Sequence, residues 1–110
     1  MLYLVVNNDF HVSNLLNQIH NFKGYNICVI CVPYNIKNNC LCLSDNIIDI
    51  KTPYKNIKDF LNPLLFRKAK LEVEKIHFNF DDVVIFLTDY DPINQYIVYK
   101  AREKGAKIIL

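Results

Sequence analysis

One stretch of this chain limits the folds open to it more than any other: Asp81-Asp82-Val83-Val84-Ile85-Phe86-Leu87-Thr88-Asp89-Tyr90-Asp91-Pro92. Val83 to Leu87 is an unbroken apolar run, β-branched at its start, as expected for a strand covered on both faces of a parallel sheet. The run opens directly into a polar turn. Asp91 can cap the helix that follows, and Pro92 fits its first turn, where a missing N–H costs nothing. That helix carries Ile93, Tyr96, Ile97 and Ala101 towards Gly105, a C′ residue with free access to positive φ. Ala106-Lys107-Ile108-Ile109-Leu110 then starts another buried strand. The pattern is a βαβ unit, and its last strand has no covering helix after it. The expectation is one α/β domain over residues 1–110, the front part of something larger.

The rest of the chain alternates in the same way. Leu2 to Val6 reads as a strand, and Phe10 to Phe22 as a helix with Val12, Leu15, Leu16 and Ile19 at helical spacing. Asn26 to Val32 is a second strand, halted by Pro33. Tyr34 to Asn39 reads as loop, Cys40 to Leu43 as a short strand or loop, and Asn46 to Ile50 as a short third strand. Tyr54 to Ile76 is mostly helical, with Pro63 kinking or dividing it. This order predicts an α/β fold: a doubly wound, mostly parallel five-stranded sheet, order 3-2-1-4-5, joined by right-handed crossovers.

Composition excludes several function classes. With 52% hydrophobic and 22% charged residues, the chain has the balance of a globular domain. A net charge of +2 is too mild to argue for nucleic acid, and allows at most peripheral membrane association. No apolar run approaches the roughly 18 residues that a membrane span requires. The N-terminus begins as a strand with no basic stretch ahead of it, so no signal peptide is expected and the cytoplasm is the default compartment.

The four cysteines invite a zinc or redox reading, which their spacing opposes. Cys28-Val29-Ile30-Cys31 lies within a strand, where residues three apart point to opposite faces and cannot share one ion. Cys40 and Cys42 could share a face, but no second pair has zinc spacing. The cysteines are read as small buried apolar residues, and no metal is expected.

In an open α/β sheet, ligands bind beyond the carboxyl ends of the strands, where strand order reverses. In the order 3-2-1-4-5 this point lies between strands one and four. It brings Asn7-Asn8-Asp9-Phe10-His11 opposite Thr88-Asp89-Tyr90-Asp91. Carboxylates, amides, a histidine and an aromatic ring would converge there, which suits a hydroxyl-rich ligand, and a carboxylate could act as general base. Asp91 is better explained as an N-cap. Asp9 serves equally well as a cap or as a functional acid. Asp89 has no capping role to explain it and is the stronger catalytic candidate. His11, in a first helical turn, reads as solvated, and Tyr90 as a surface aromatic or a stacking platform. Asn7, Asn8, His11, Thr88 and Tyr90 form the candidate substrate-binding set.

The chain has two glycines, Gly24 and Gly105, so it carries no G-x-G-x-x-G and no P-loop; no tightly bound nucleotide cofactor is expected. It has no G-x-S-x-G elbow. A phosphoacceptor receiver would need an acid after strand three, where only Asp49 is available, inside the strand.

Three features carry a resemblance: the start Leu2-Tyr3-Leu4-Val5-Val6 with polar residues after it, the strand Val83 to Leu87, and the ending Ala101-Arg102-Glu103-Lys104-Gly105-Ala106-Lys107-Ile108-Ile109-Leu110. In these the chain resembles the N-terminal half of bacterial two-domain GT-B glycosyltransferases. The likeness is closest to those that build lipopolysaccharide, lipooligosaccharide or capsule, such as the sialyltransferase-like glycosyltransferase family 52. The resemblance implies an acceptor-side domain with a carbohydrate acceptor as its partner. The nucleotide-sugar donor would be held mainly by a further C-terminal domain, and no bound metal would be needed. It also implies a carboxylate of this domain as general base, for which Asp89 and Asp9 qualify by position. The isolated 110 residues are then expected to be inactive. The alternative is a non-enzymatic receiver-like or flavodoxin-like module that binds a protein or a small molecule. Exposed flanks of strand five would serve as a domain contact in the first reading and as a homodimer interface in the second.

Overall fold

The structure, a computed structural model, describes residues 1–32, 37–50, 63–88 and 91–110. Five strands form one sheet: β1 (Leu2–Val6), β2 (Ile27–Cys31), β3 (Ile47–Asp49), β4 (Val83–Phe86) and β5 (Lys107–Ile109). Their order is β3-β2-β1-β4-β5, and every pairing is parallel. The helices are α1 (Asp9–Asn17), a 3-10 turn (Ile19–Phe22), α2 (Lys37–Cys40), α3 (Pro63–Glu74) and α4 (Pro92–Glu103). This is a doubly wound α/β fold of the Rossmann-like kind. Among the described residues, no helix is long and apolar enough to cross a membrane.

The layering follows from the strand order. The chain steps from β1 outward to β2 and β3, then returns past β1 to β4 and β5. Crossovers of one hand must place the helices of the two halves on opposite faces. Accordingly Tyr3, Val5, Ile30, Val84 and Phe86 meet Ala69 and Val73 of α3 and Ile93, Ile97 and Ala101 of α4. On the other face Leu4, Val6, Val29 and Cys31 meet Val12 and Leu15 of α1 and Cys40 of α2. β1, at the centre, is buried at all five positions, which is why its sequence is apolar without alternation. Cys28 and Cys31 fall on opposite faces, as their spacing requires.

Local chemistry sets the ends of the elements. Asp91 accepts the backbone N–H groups of Ile93 (2.8 Å) and Asn94 (3.4 Å) and so caps α4, with Pro92 at its first position. α4 stops at Gly105, whose φ of +80° lies in the left-handed region and turns the chain into β5. At the base of β4 the buried Asp82 accepts the N–H of Asn79 at 2.8 Å, and its other oxygen lies 3.3 Å from the N-terminal ammonium.

Three expectations are corrected. The first helix ends at Asn17 and its continuation is a separate 3-10 turn. α1 is seated on His11, Val12 and Leu15, so Leu16, one residue further round the helix, is 44% exposed. The run read as loop through Asn39 holds the single turn α2 at Lys37–Cys40. Full burial of Cys40, with Leu43 close behind, overrides the poor helix propensity of its two asparagines. α3 is described from Pro63 onward, so the part of that helix expected at 54–62 lies outside the described residues.

Candidate functional site

The carboxyl ends of β1 and β4 are neighbours in register, Val5 opposite Phe86, and each runs straight into a helix N-terminus. Asn7 leaves β1 half-buried and reaches across this switch point to α4. Its Nδ2 donates to Asn94 Oδ1 (3.0 Å) and approaches Asp91 Oδ2 (3.4 Å), while Asn94 Nδ2 donates back to Asn7 Oδ1 (2.7 Å). Asn94 Nδ2 also donates to the carbonyl of Thr88 (3.1 Å). A carbonyl only accepts, so the atom facing Thr88 must be the nitrogen, and this fixes the orientation of both amides. The result is a closed pair of carboxamides joining β1, the β4–α4 turn and α4. Asn94 is 1% exposed, so the pair is a brace beneath the strand ends and not a group at their surface.

Asp91 sits beside this pair, 6% exposed. Burial raises its pKa above the usual carboxylate value, partly offset by the two N–H groups that it caps. The hydroxyl of Thr88 is buried and finds no hydrogen-bond partner. Thr88 is the one residue of this turn whose side chain retains unused bonding capacity among those described.

On the β1 side Asn8 caps α1, its Oδ1 accepting the N–H of His11 at 2.9 Å. Asp9, the alternative cap, is the first helical residue. His11 is 7% exposed, which corrects the expectation that it is solvated. Its Nδ1 accepts the backbone N–H of Asn7 at 3.1 Å, so the neutral ring carries its proton on Nε2. The 3.5 Å approach of Asn8 Nδ2 to Nε2 is then a donor meeting a donor. Desolvation lowers the pKa of His11. Histidine here is a structural acceptor that orients Asn7.

The candidates named from the sequence therefore separate into groups. Asn7 and Thr88 converge at the switch point, with Asn8 and His11 behind them. Asp9 turns the other way: it is exposed and accepts from Asn39 Nδ2 of α2 at 2.6 Å. Asp89 and Tyr90 lie outside the described residues. Asn94 was missed, although it carried a signal. It stands three and seven residues before Ile97 and Ala101, a polar residue on the buried stripe of a helix. Among the described residues, no group of three or more acidic, histidine or cysteine side chains could hold a metal ion.

The chain thus has the doubly wound α/β architecture, with its topological switch point between β1 and β4. Comparison with protein-family models, curated proteins and solved structures finds no match to the chain.

Proposed function

We propose that this chain is the acceptor-side domain of a GT-B glycosyltransferase that moves a sugar from a nucleotide-sugar donor to a surface-polysaccharide acceptor. The observation that carries the reading is the amide pair of Asn7 and Asn94, which braces the polar strand ends at the reversal of strand order. Hydroxyl-rich ligands are recognised by carboxamides, hydroxyls and carboxylates held in fixed positions, and Asn8 and Thr88 stand at the ends of β1 and β4. With two glycines in all, the chain lacks the backbone cradle of a tight diphosphate site, which favours an acceptor over a nucleotide. In the proposed reaction the Asp89 carboxylate takes the proton of the acceptor hydroxyl as that oxygen attacks the anomeric carbon. The bond from that carbon to the donor phosphate oxygen breaks, and the nucleotide leaves with the electron pair.

The competing reading, a protein-binding module of receiver-like or flavodoxin-like form, predicts an exposed apolar patch and no polar crevice. An apolar depression does exist where Phe22, Tyr25, Val83, Ile85 and Ile109 meet beside β5. The braced polar strand ends weigh for the transferase.

Backbone NMR spectra of the 110-residue chain, titrated separately with lactose, N-acetylglucosamine, sialyllactose, CMP and UDP, test the proposal. A saccharide is expected to move the signals of Asn7, Asn8, Thr88 and Asn94 while the nucleotides leave them in place. Nucleotides that shift those signals, or saccharides that shift none of them, overturn it. The isolated chain is expected to transfer no sugar, and turnover by it would contradict the assignment to an acceptor-side half.

A further inference from the structure

We propose that Cys31 and Cys40 are an oxidative modification site, closing to an intramolecular disulfide when the protein meets a hydroperoxide. The inference is independent of the sugar-transfer reading. Cys31 is the last residue of β2 and Cys40 the last of α2. Their sulfurs lie 3.1 Å apart, with the Cys31 thiol donating to Cys40. A disulfide requires roughly 2.0 Å, so the bond needs about 1 Å of approach across a contact that the fold has already made.

The other two thiols do not compete for this partnership. Cys28 projects from the opposite face of the sheet, where burial pushes its pKa up to about 11. Cys42 is exposed, and its Sγ donates to the carbonyl of Asn39 at 3.0 Å. Within the pair the roles are unequal. The Cys31 S–H stabilises negative charge on Cys40 and lowers its pKa, while the pKa of Cys31 rises. The carboxylates of Asp9 and Asp49 oppose the charge on Cys40. Cys40 is the nucleophile of the pair and Cys31 the resolving thiol.

The chemistry balances with a hydroperoxide as oxidant. The Cys40 thiolate attacks the terminal peroxide oxygen, the O–O bond breaks, and the leaving oxygen is protonated. With hydrogen peroxide this releases water and leaves Cys40 as a sulfenic acid. The Cys31 sulfur then attacks Cys40 sulfur, the S–S bond forms, the S–O bond breaks, and a second water leaves with the Cys31 proton. Two thiols are oxidised by two electrons and one peroxide is reduced. Both sulfurs are fully buried, so reaction follows local opening of the one-turn α2 and is slower than at an exposed thiol. The product staples β2 to α2 beside Asn39, which holds Asp9.

Lys37 lies between the two cysteines, so trypsin separates residues 24–37 from residues 38–51 unless a bridge joins them. Reduced protein is treated with hydrogen peroxide, denatured, alkylated with iodoacetamide, digested and weighed. The expected product, in wild type and in Cys42→Ser and Cys28→Ser alike, is the joined peptide pair with any other cysteine alkylated, two hydrogen atoms lighter than the same two peptides with Cys31 and Cys40 as thiols, and separated again by dithiothreitol. Loss of the joined pair in Cys42→Ser, or recovery of Cys31 and Cys40 as alkylated thiols or sulfinic acids, overturns the proposal.

Discussion

Asn94 shows how one side chain can hold two halves of a sheet together. It satisfies the amide of Asn7 and the carbonyl of Thr88 from a position that water does not reach. Asn94→Ala takes this partner from two half-buried groups, the Asn7 amide and the Thr88 carbonyl, at a cost of about 1–3 kcal/mol. Urea denaturation should show that loss, and an unchanged midpoint would mean that the pair contributes nothing. His11 supplies a pH dependence of definite sign. Its folded pKa lies below the ordinary 6.5, so the unfolded chain binds the proton more readily. The stability that His11 contributes is complete above 6.5 and is lost as pH falls below it. Asp91 acts oppositely: its folded pKa lies above 3.8, so its contribution weakens as pH rises from there. The unfolding free energy of wild type relative to His11→Gln should therefore shrink between pH 7 and pH 5; a difference that does not vary with pH would refute the assignment.

At the scale of the element, α4 depends on its two ends. Asp91 satisfies two otherwise orphaned N–H groups, and Asp91→Ala should cost about 1 kcal/mol, as capping substitutions do. The same change removes an acceptor from Asn7 Nδ2, so it tests the cap most cleanly when compared with Asn94→Ala in the same denaturant series. At the other end Gly105→Ala must place a Cβ at a φ of +80°, 3.4 Å from Phe80 Cβ. The left-handed region costs an alanine about 1–2 kcal/mol, and thermal unfolding should register it. α1 combines the two influences. Asn8 caps its first turn, and Val12 and Leu15 seat it on the sheet while Phe10 remains 76% exposed.

For the whole molecule, stability is concentrated where the two apolar layers press on β1. Ile97 is fully buried between α4 and the sheet, and Ile97→Ala should cost about 2–5 kcal/mol, far more than the exposed Tyr99→Ala on the same helix. Equal effects on the urea midpoint would contradict the layer assignment. The sheet is thinly covered on one flank: Val83 and Ile85, on the same face as α1, are half-buried, and Ile109 is 41% exposed.

Much of this was legible in the residues alone. Unbroken apolar runs gave β1, β2 and β4, since a strand buried on both faces cannot alternate. Alternating strands and helices then required the doubly wound order. Asp91-Pro92 and Gly105 marked the ends of α4, because capping and positive φ are local chemistry that few residue types can supply. Distances between segments far apart in the chain were not legible. The pairing of Asn7 with Asn94, the burial of His11, the turn of Asp9 towards α2 and the meeting of Cys31 with Cys40 depend on how two layers settle against one sheet. A polar residue near an apolar run reads the same whether it faces water or another amide. Only the tertiary structure, by bringing the far segment into contact and removing the water, decides which it does.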